Sequence, residues 1–192
     1  VTTDLISPSD FITVLAAAAS SSRPSSEALV KALLTAEKTA KQQRLSYQFP
    51  SLIGKWRLCF ATGTRKVRQR GGIILGKGFY LPKFVPAQIS FETSPLGIEI
   101  GNSVQIGAIL LQLTGPAKYL DKKNLLAFDF TNLRLSLLGR TLYSGKIRSG
   151  KTQVDFENQP IAKLAFFSFF FVTENLIAAR GRGGGLALWV RE

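Results

Sequence analysis

Near its C-terminus the chain runs Leu164-Ala165-Phe166-Phe167-Ser168-Phe169-Phe170-Phe171-Val172, and few architectures accommodate such a segment. In an extended strand, successive side chains point to opposite sides. Phe167, Phe169 and Phe171 then face one way, and Phe166, Ser168 and Phe170 the other. Each buried Phe contributes roughly 1.5–3 kcal/mol relative to exposure, so neither face can be left to water. One side can line the inside of a β-barrel. The other has to be covered by helices of the same chain, by a partner or by lipid. The rarity of large apolar patches on monomers favours the helices.

Helical periodicity is confined to residues 1–45. Ser7-Pro8-Ser9-Asp10 supplies a capping residue, a Pro suited to the first turn and an early acid; Phe11, Val14, Leu15 and Ala18 follow at helical spacing. The Ser20–Pro24 segment ends that helix. A second is predicted over about 26–43, with Leu29, Ala32, Leu33, Ala36 and Ala40 on one face.

From residue 46 to 192 the pattern is β. Short runs of strand formers fall at 56–62, 88–93, 98–100, 125–130, 133–138, 165–172, 176–179 and 186–190. Turn residues separate them at 93–97, 114–116, 143–145 and 181–185; Val104–Leu113 reads equally as strand or helix. Many short strands at this spacing suggest a barrel or a sandwich. A barrel of about eight strands has room for its own side chains or one small ligand.

The chain of 192 residues is 45% hydrophobic and only 19% charged, which suits a compact domain. Its 25 Lys and Arg outnumber 12 Asp and Glu, for a net charge of +13. That surface favours anionic partners, whether lipid headgroups, nucleic acid or an acidic protein. With no His, imidazole acid–base chemistry and His metal sites are excluded; with Cys59 alone, so are internal disulfides and Cys-cluster zinc sites. No nucleophile–base pair can be assembled, so a non-enzyme without cofactor or metal is expected. No Met is present, as in a processed or trimmed precursor. No apolar run reaches the roughly 18 residues of a spanning helix and no signal peptide is visible, which fits a soluble or peripheral protein.

Gly54-Lys55-Trp56 opens the β region. Here Gly allows a tight turn and the indole either joins the core or plugs one end of the barrel under a cation–π lid from Arg180 or Arg182. Thr64-Arg65-Lys66-Val67-Arg68-Gln69-Arg70 carries four cations and no acid. If extended, Lys66, Arg68 and Arg70 share a face able to meet phosphate or sulfate headgroups; a solvated loop is the plainer alternative. Arg180-Gly181-Arg182-Gly183-Gly184-Gly185 is best explained as a glycine-rich hairpin turn, because neither a Walker loop nor a nucleic-acid reading motif accompanies it.

The helical leader and two blocks after it then resemble the plastid lipid-associated proteins, or plastid fibrillins. Leu52-Ile53-Gly54-Lys55-Trp56-Arg57-Leu58-Cys59-Phe60-Ala61-Thr62 is similar to that family's L-x-G-x-W-x-L-x-[YF]-[TS] block. Phe171-Val172-Thr173-Glu174-Asn175-Leu176-Ile177-Ala178-Ala179-Arg180-Gly181 is similar to its Y-L-D-x-x-L-R-I-x-R-G block, with Thr173 where the family usually has Asp. The resemblance implies a mainly β fold: a lipocalin-like antiparallel β-barrel with two N-terminal α-helices, residues 1–45 packing on 46–192 as one folding unit. It also implies a chloroplast protein at thylakoids, plastoglobules or stroma that handles a lipid, carotenoid, quinone or isoprenoid. Candidate cavity walls are Trp56, Phe60, Phe128, Phe130, Phe167, Phe169, Phe171 and Trp189. Arg65, Lys66, Arg68 and Arg70 are the candidate docking residues for an anionic membrane surface. The competing expectations are a self-filled barrel that scaffolds other plastid proteins and, less favoured, a basic barrel that binds nucleic acid.

Overall fold

The computed structural model of the chain describes residues 8–20, 22–63, 78–82, 84–147 and 156–192. Its elements, in chain order, are α1 (Pro8–Ala19), α2 (Ser26–Gln42), β1 (Gly54–Ala61), β2 (Phe79–Tyr80), β3 (Ala87–Ser94), β4 (Gly97–Ile106), β5 (Ile109–Leu120), β6 (Leu125–Phe128), β7 (Asn132–Leu137), β8 (Arg140–Lys146), β9 (Ala165–Val172), β10 (Leu176–Gly181) and β11 (Leu186–Arg191).

Every pairing is antiparallel. Strands β1, β3, β4, β5, β6, β9, β10 and β11 each bond to the next, and β11 returns to β1. The result is a closed eight-stranded barrel with two N-terminal helices. Closure leaves these strands no free edge. The hairpin β7–β8 lies outside the ring, attached along the Ile109–Thr114 half of β5.

Two stretches read as turns are strand. Thr114-Gly115-Pro116 lies within β5, at the point where that strand exchanges β7 for β6 as its neighbour. A Cβ on Gly115 would collide with the Asp129 carbonyl, so Gly marks a close backbone approach and not a chain reversal. The carbonyl of Pro116 accepts from Asp129 N at 3.2 Å, and Pro's missing N–H falls at the switch between partners. Likewise Tyr143-Ser144-Gly145 lies inside β8, beside a bulge at Leu142. The ambiguous Val104–Leu113 stretch is a hairpin, broken by Gly107 at φ +57°.

The helices cover one flank of the barrel. Ser25 caps α2, its Oγ accepting from Ala28 N at 3.2 Å. Phe11, Leu15 and Ala18 of α1 and Leu29, Leu33 and Ala36 of α2 pack in one layer with Phe60, Phe170, Ala178, Leu186 and Leu188 of the barrel's outer face. Polar pins fix the layer. The Cys59 thiol donates to Ala18 O at 3.1 Å, and the Tyr80 hydroxyl donates to Pro24 O at 2.9 Å.

The third pin is ionic. Arg180 of β10 reaches Glu37 of α2 with Nε–Oε1 at 2.9 Å and a parallel Nη2–Oε2 bond, a two-point carboxylate clamp. The Arg180 hydrogen bonds hold the Glu37 carboxyl below the usual carboxylate range, against the opposing effect of burial. A depressed folded pKa gives stability that is complete above the unfolded value, about 4.3, and is lost as pH falls through the folded one. Glu37→Gln should therefore lower stability at neutral pH by about 1–2 kcal/mol. It should also remove part of the acid destabilisation expected of the wild type below about pH 4, as measured by urea titrations of both proteins. Parallel acid profiles for the two proteins would contradict this role for the pair.

Candidate functional site

One end of the barrel is sealed. Trp56 is fully buried and its Nε1 donates to Leu52 O at 2.7 Å, so the indole is both packed and satisfied. The short 3-10 turn Phe49–Leu52 lies across this end. The cation over the ring is Arg191, with its guanidinium carbon 4.1 Å from the ring centroid, and not Arg180 or Arg182. Arg191 also donates to the carbonyls of Ile53 at 3.1 Å and Glu174 at 2.5 Å, tying the first strand, the β9–β10 turn and the last strand together. Gly54 stands at φ +130°, and a Cβ there would strike the Arg191 guanidinium. Arg180 instead serves α2, and Arg182 donates to Lys163 O and Leu164 O at 3.1 and 3.0 Å. The lid escaped the sequence because Trp56 and Arg191 become neighbours only through the pairing of the first strand with the last.

Above this seal the interior is aromatic. Phe91 meets Phe169 edge-on at 5.9 Å, and Phe167 stacks on Phe128 at 5.1 Å and meets Trp189 edge-on at 5.4 Å. Phe130 lies 5.2 Å from Phe128. Trp56, Phe128, Phe169 and Trp189, with Phe130 and Phe167 packed against them, thus share the interior cluster.

Phe60 and Phe171, predicted for the same wall, lie in the helix-facing layer. Bulges are the physical reason. The β1–β11 register slips between Leu58 and Phe60, so that Leu58 opposes inward Trp189 while Phe60 opposes outward Leu188. On β9 the slip falls at Phe170, with Phe171 opposing Ala178 and Phe169 opposing Ala179. Phe171 consequently packs edge-on against Phe11 of α1 at 6.4 Å.

The other end of the barrel carries its inward face beyond the ring. Ile89 opposes Asn102, which opposes Leu113, which opposes Leu133. One step further out, Val104, Leu111, Leu135 and Tyr143 stand in a row, followed by Ile106, Ile109 and Leu137. Directly opposed residues share a face, and Ile89 belongs to the interior cluster. This row is therefore the interior wall extended into the open. Leu113, Leu133 and Leu135 are half-buried there, while Ile106, Ile109, Leu111, Leu137 and Tyr143 are exposed. The opposite face of the same strands is polar: Gln88, Ser90, Ser103, Gln112 and Thr114 line a shallow cleft of about 260 Å³. Composition alone did not reveal this wall, because it depends on the register of four strands.

The docking candidates Arg65, Lys66, Arg68 and Arg70 lie outside the described residues. Lys118 is engaged, donating to Phe156, Glu157 and Gln159 carbonyls at 3.0–3.3 Å. Glu174 gives Arg191 its backbone carbonyl and not its carboxylate. Thr173 closes the β9–β10 turn, its hydroxyl accepting from Leu176 N at 3.0 Å. The expected Gly-rich hairpin turn is present, with Gly181 N bonded to Gly185 O at 2.9 Å. Among the described residues no His, Cys, Asp and Glu cluster could hold a metal ion. Cys59 is buried, and burial pushes its thiol up.

Compared with protein-family models, curated proteins and solved structures, the chain matches none. The barrel is lipocalin-like. It has eight antiparallel strands and two flanking helices.

Replacing Arg191 by Met should remove the cation over Trp56 and its hydrogen bonds to the carbonyls of Ser51, Ile53 and Glu174. The expected loss is about 2 kcal/mol by urea denaturation, with a red shift of tryptophan emission. Unchanged stability and emission would show that the seal does not depend on Arg191.

Proposed function

We propose that this barrel binds and carries an apolar ligand of the lipid or isoprenoid class, a carotenoid or quinone included, and catalyses no reaction. The observation that carries the reading is the interior wall running out of the ring, with exposed Leu111 and half-buried Leu113, Leu133 and Leu135 above an aromatic floor at Phe128 and Phe130. A ligand laid there removes apolar surface from water at roughly 25 cal/mol per Å². The floor is solid with the protein's own rings, so the ligand occupies the mouth and does not penetrate to Trp56.

The plastid setting, at thylakoid or plastoglobule surfaces, rests on the two sequence blocks similar to plastid lipid-associated proteins. In the fold the two blocks meet, Trp56 of the first and Glu174 of the second being joined by Arg191. Arg65, Lys66, Arg68 and Arg70 remain candidates for holding the carrier to anionic headgroups. The aromatic filling also favours a second reading, a scaffold whose mouth is covered by a plastid protein.

The test is loading with a plastid lipid extract, followed by solvent extraction and mass spectrometry. The wild type should retain one apolar lipid per chain. The double substitution Leu111→Asn with Leu135→Asn should weaken retention by about tenfold or more. Repeated recovery of lipid-free wild-type protein would favour the scaffold.

A further inference from the structure

Two hairpin turns lie side by side at the far end of the extended wall. The β4–β5 turn is Ile106-Gly107-Ala108-Ile109 and the β7–β8 turn is Leu137-Leu138-Gly139-Arg140; Ile109 opposes both Ile106 and Leu137. Leu138 N donates to Ala108 O at 2.9 Å, so the two tips form one rigid edge. A third segment reaches the same end, because Pro86 O accepts from Gln105 N at 3.0 Å with Phe84 two residues before it.

The residues displayed there are not those the fold would choose. Leu138 and Gly139 take φ of +50° and +76°, the pair of positive values of a two-residue hairpin turn in which Asn, Asp and Gly are favoured. A bulky branched side chain at positive φ is an outlier, yet Leu138 stands there 78% exposed. Leu142, the extra residue of the β8 bulge, is 63% exposed, as is Ile106, and Phe84 is 81% exposed. Neither backbone preference nor core packing accounts for apolar side chains at these positions.

Charge says what kind of surface they meet. No Asp or Glu occurs in residues 100–120 or 130–147, which hold both turns and all of the two hairpins but the first three residues of β4, where Glu99 lies; Arg134, Arg140 and Lys146 do occur there. All three are exposed, and Arg140 sits in the turn itself. An apolar tip with Arg140 at its turn, with Arg134 and Lys146 further back along the same hairpin and no acid in either turn, complements an anionic bilayer: side chains enter the acyl boundary while the guanidinium group stays among phosphates.

We infer that the paired β4–β5 and β7–β8 tips are a membrane-docking edge that inserts Ile106, Leu138 and Leu142 into the surface of an anionic bilayer. The inference deepens the lipid-carrier reading and rests on it in one respect: docking here sets the greasy wall next to the acyl layer, where a ligand can pass between them.

The experiment is flotation of the whole chain with vesicles of phosphatidylcholine, alone or mixed with phosphatidylglycerol. The wild type should float with the mixed vesicles, less so in high salt. The substitution Leu138→Asn suits the turn, so thermal melting should be unchanged or raised. Combined with Leu142→Ser it should reduce flotation by about tenfold or more. Arg140→Gln should weaken binding to the mixed vesicles only. In solution, retention of extracted lipid by these variants should match the wild type. Undiminished flotation of the double variant overturns the docking edge whatever the ligand result. Wild-type chain that retains lipid without floating overturns docking and leaves the carrier intact; floating chain that never retains lipid does the reverse. A wild-type dimer in sedimentation velocity, made monomeric by the double variant and accompanied by no flotation, would assign the edge to a second copy and refute docking.

Discussion

Strand β9 must be dry on both sides, and much of the architecture follows from that. Its inward rings, Phe167 and Phe169, join the floor of the barrel; its outward rings, Phe170 and Phe171, require the two helices. A single bulge at Phe170 sets the change of phase, placing two consecutive rings under α1 and α2 before Val172 turns back inward. The helices are thus a wall of the same core layer, locked by Glu37 with Arg180 and by Cys59 with Ala18.

The barrel is asymmetric along its axis. At one end a buried indole, a guanidinium and a short 3-10 turn exclude water; at the other the inward face continues beyond the ring on β4, β5, β7 and β8. The asymmetry originates in β5, which has two successive neighbours on one side. Its second half closes the barrel with β6, and its first half carries the β7–β8 hairpin. Gly115 and Pro116 sit at the changeover. A fully closed cylinder filled with rings would leave a lipid no place to lie, whereas an extended wall offers one.

Much of this was legible in the residues. Capping residues at 7–10 and helical spacing at 11, 14, 15 and 18 located α1, and the apolar face at 29, 32, 33, 36 and 40 located α2. The two-sided Phe run required an enclosed strand with a second cover. Alternation placed Phe167, Phe169, Phe128 and Trp189 correctly on the interior. It failed at Phe60 and Phe171, because a bulge moves one residue of phase and leaves no mark in a short apolar run. It failed again at Gly115 and Gly145, where glycine signals crowding within a strand and not a turn. The lid, Arg191, and the extended wall required pairings between segments distant in sequence, which periodicity cannot supply.

The central claim is that the interior wall is open at the mouth and takes an apolar ligand there. Photo-crosslinking with a diazirine-bearing acyl or isoprenoid probe, followed by peptide mapping, addresses it most directly. Adducts should concentrate on the 109–137 segment, on Leu111, Leu133, Leu135 and neighbouring Phe130. Adducts confined to the outer surfaces of α1 and α2, or scattered equally over the polar face at Gln88, Ser103 and Gln112, would contradict it.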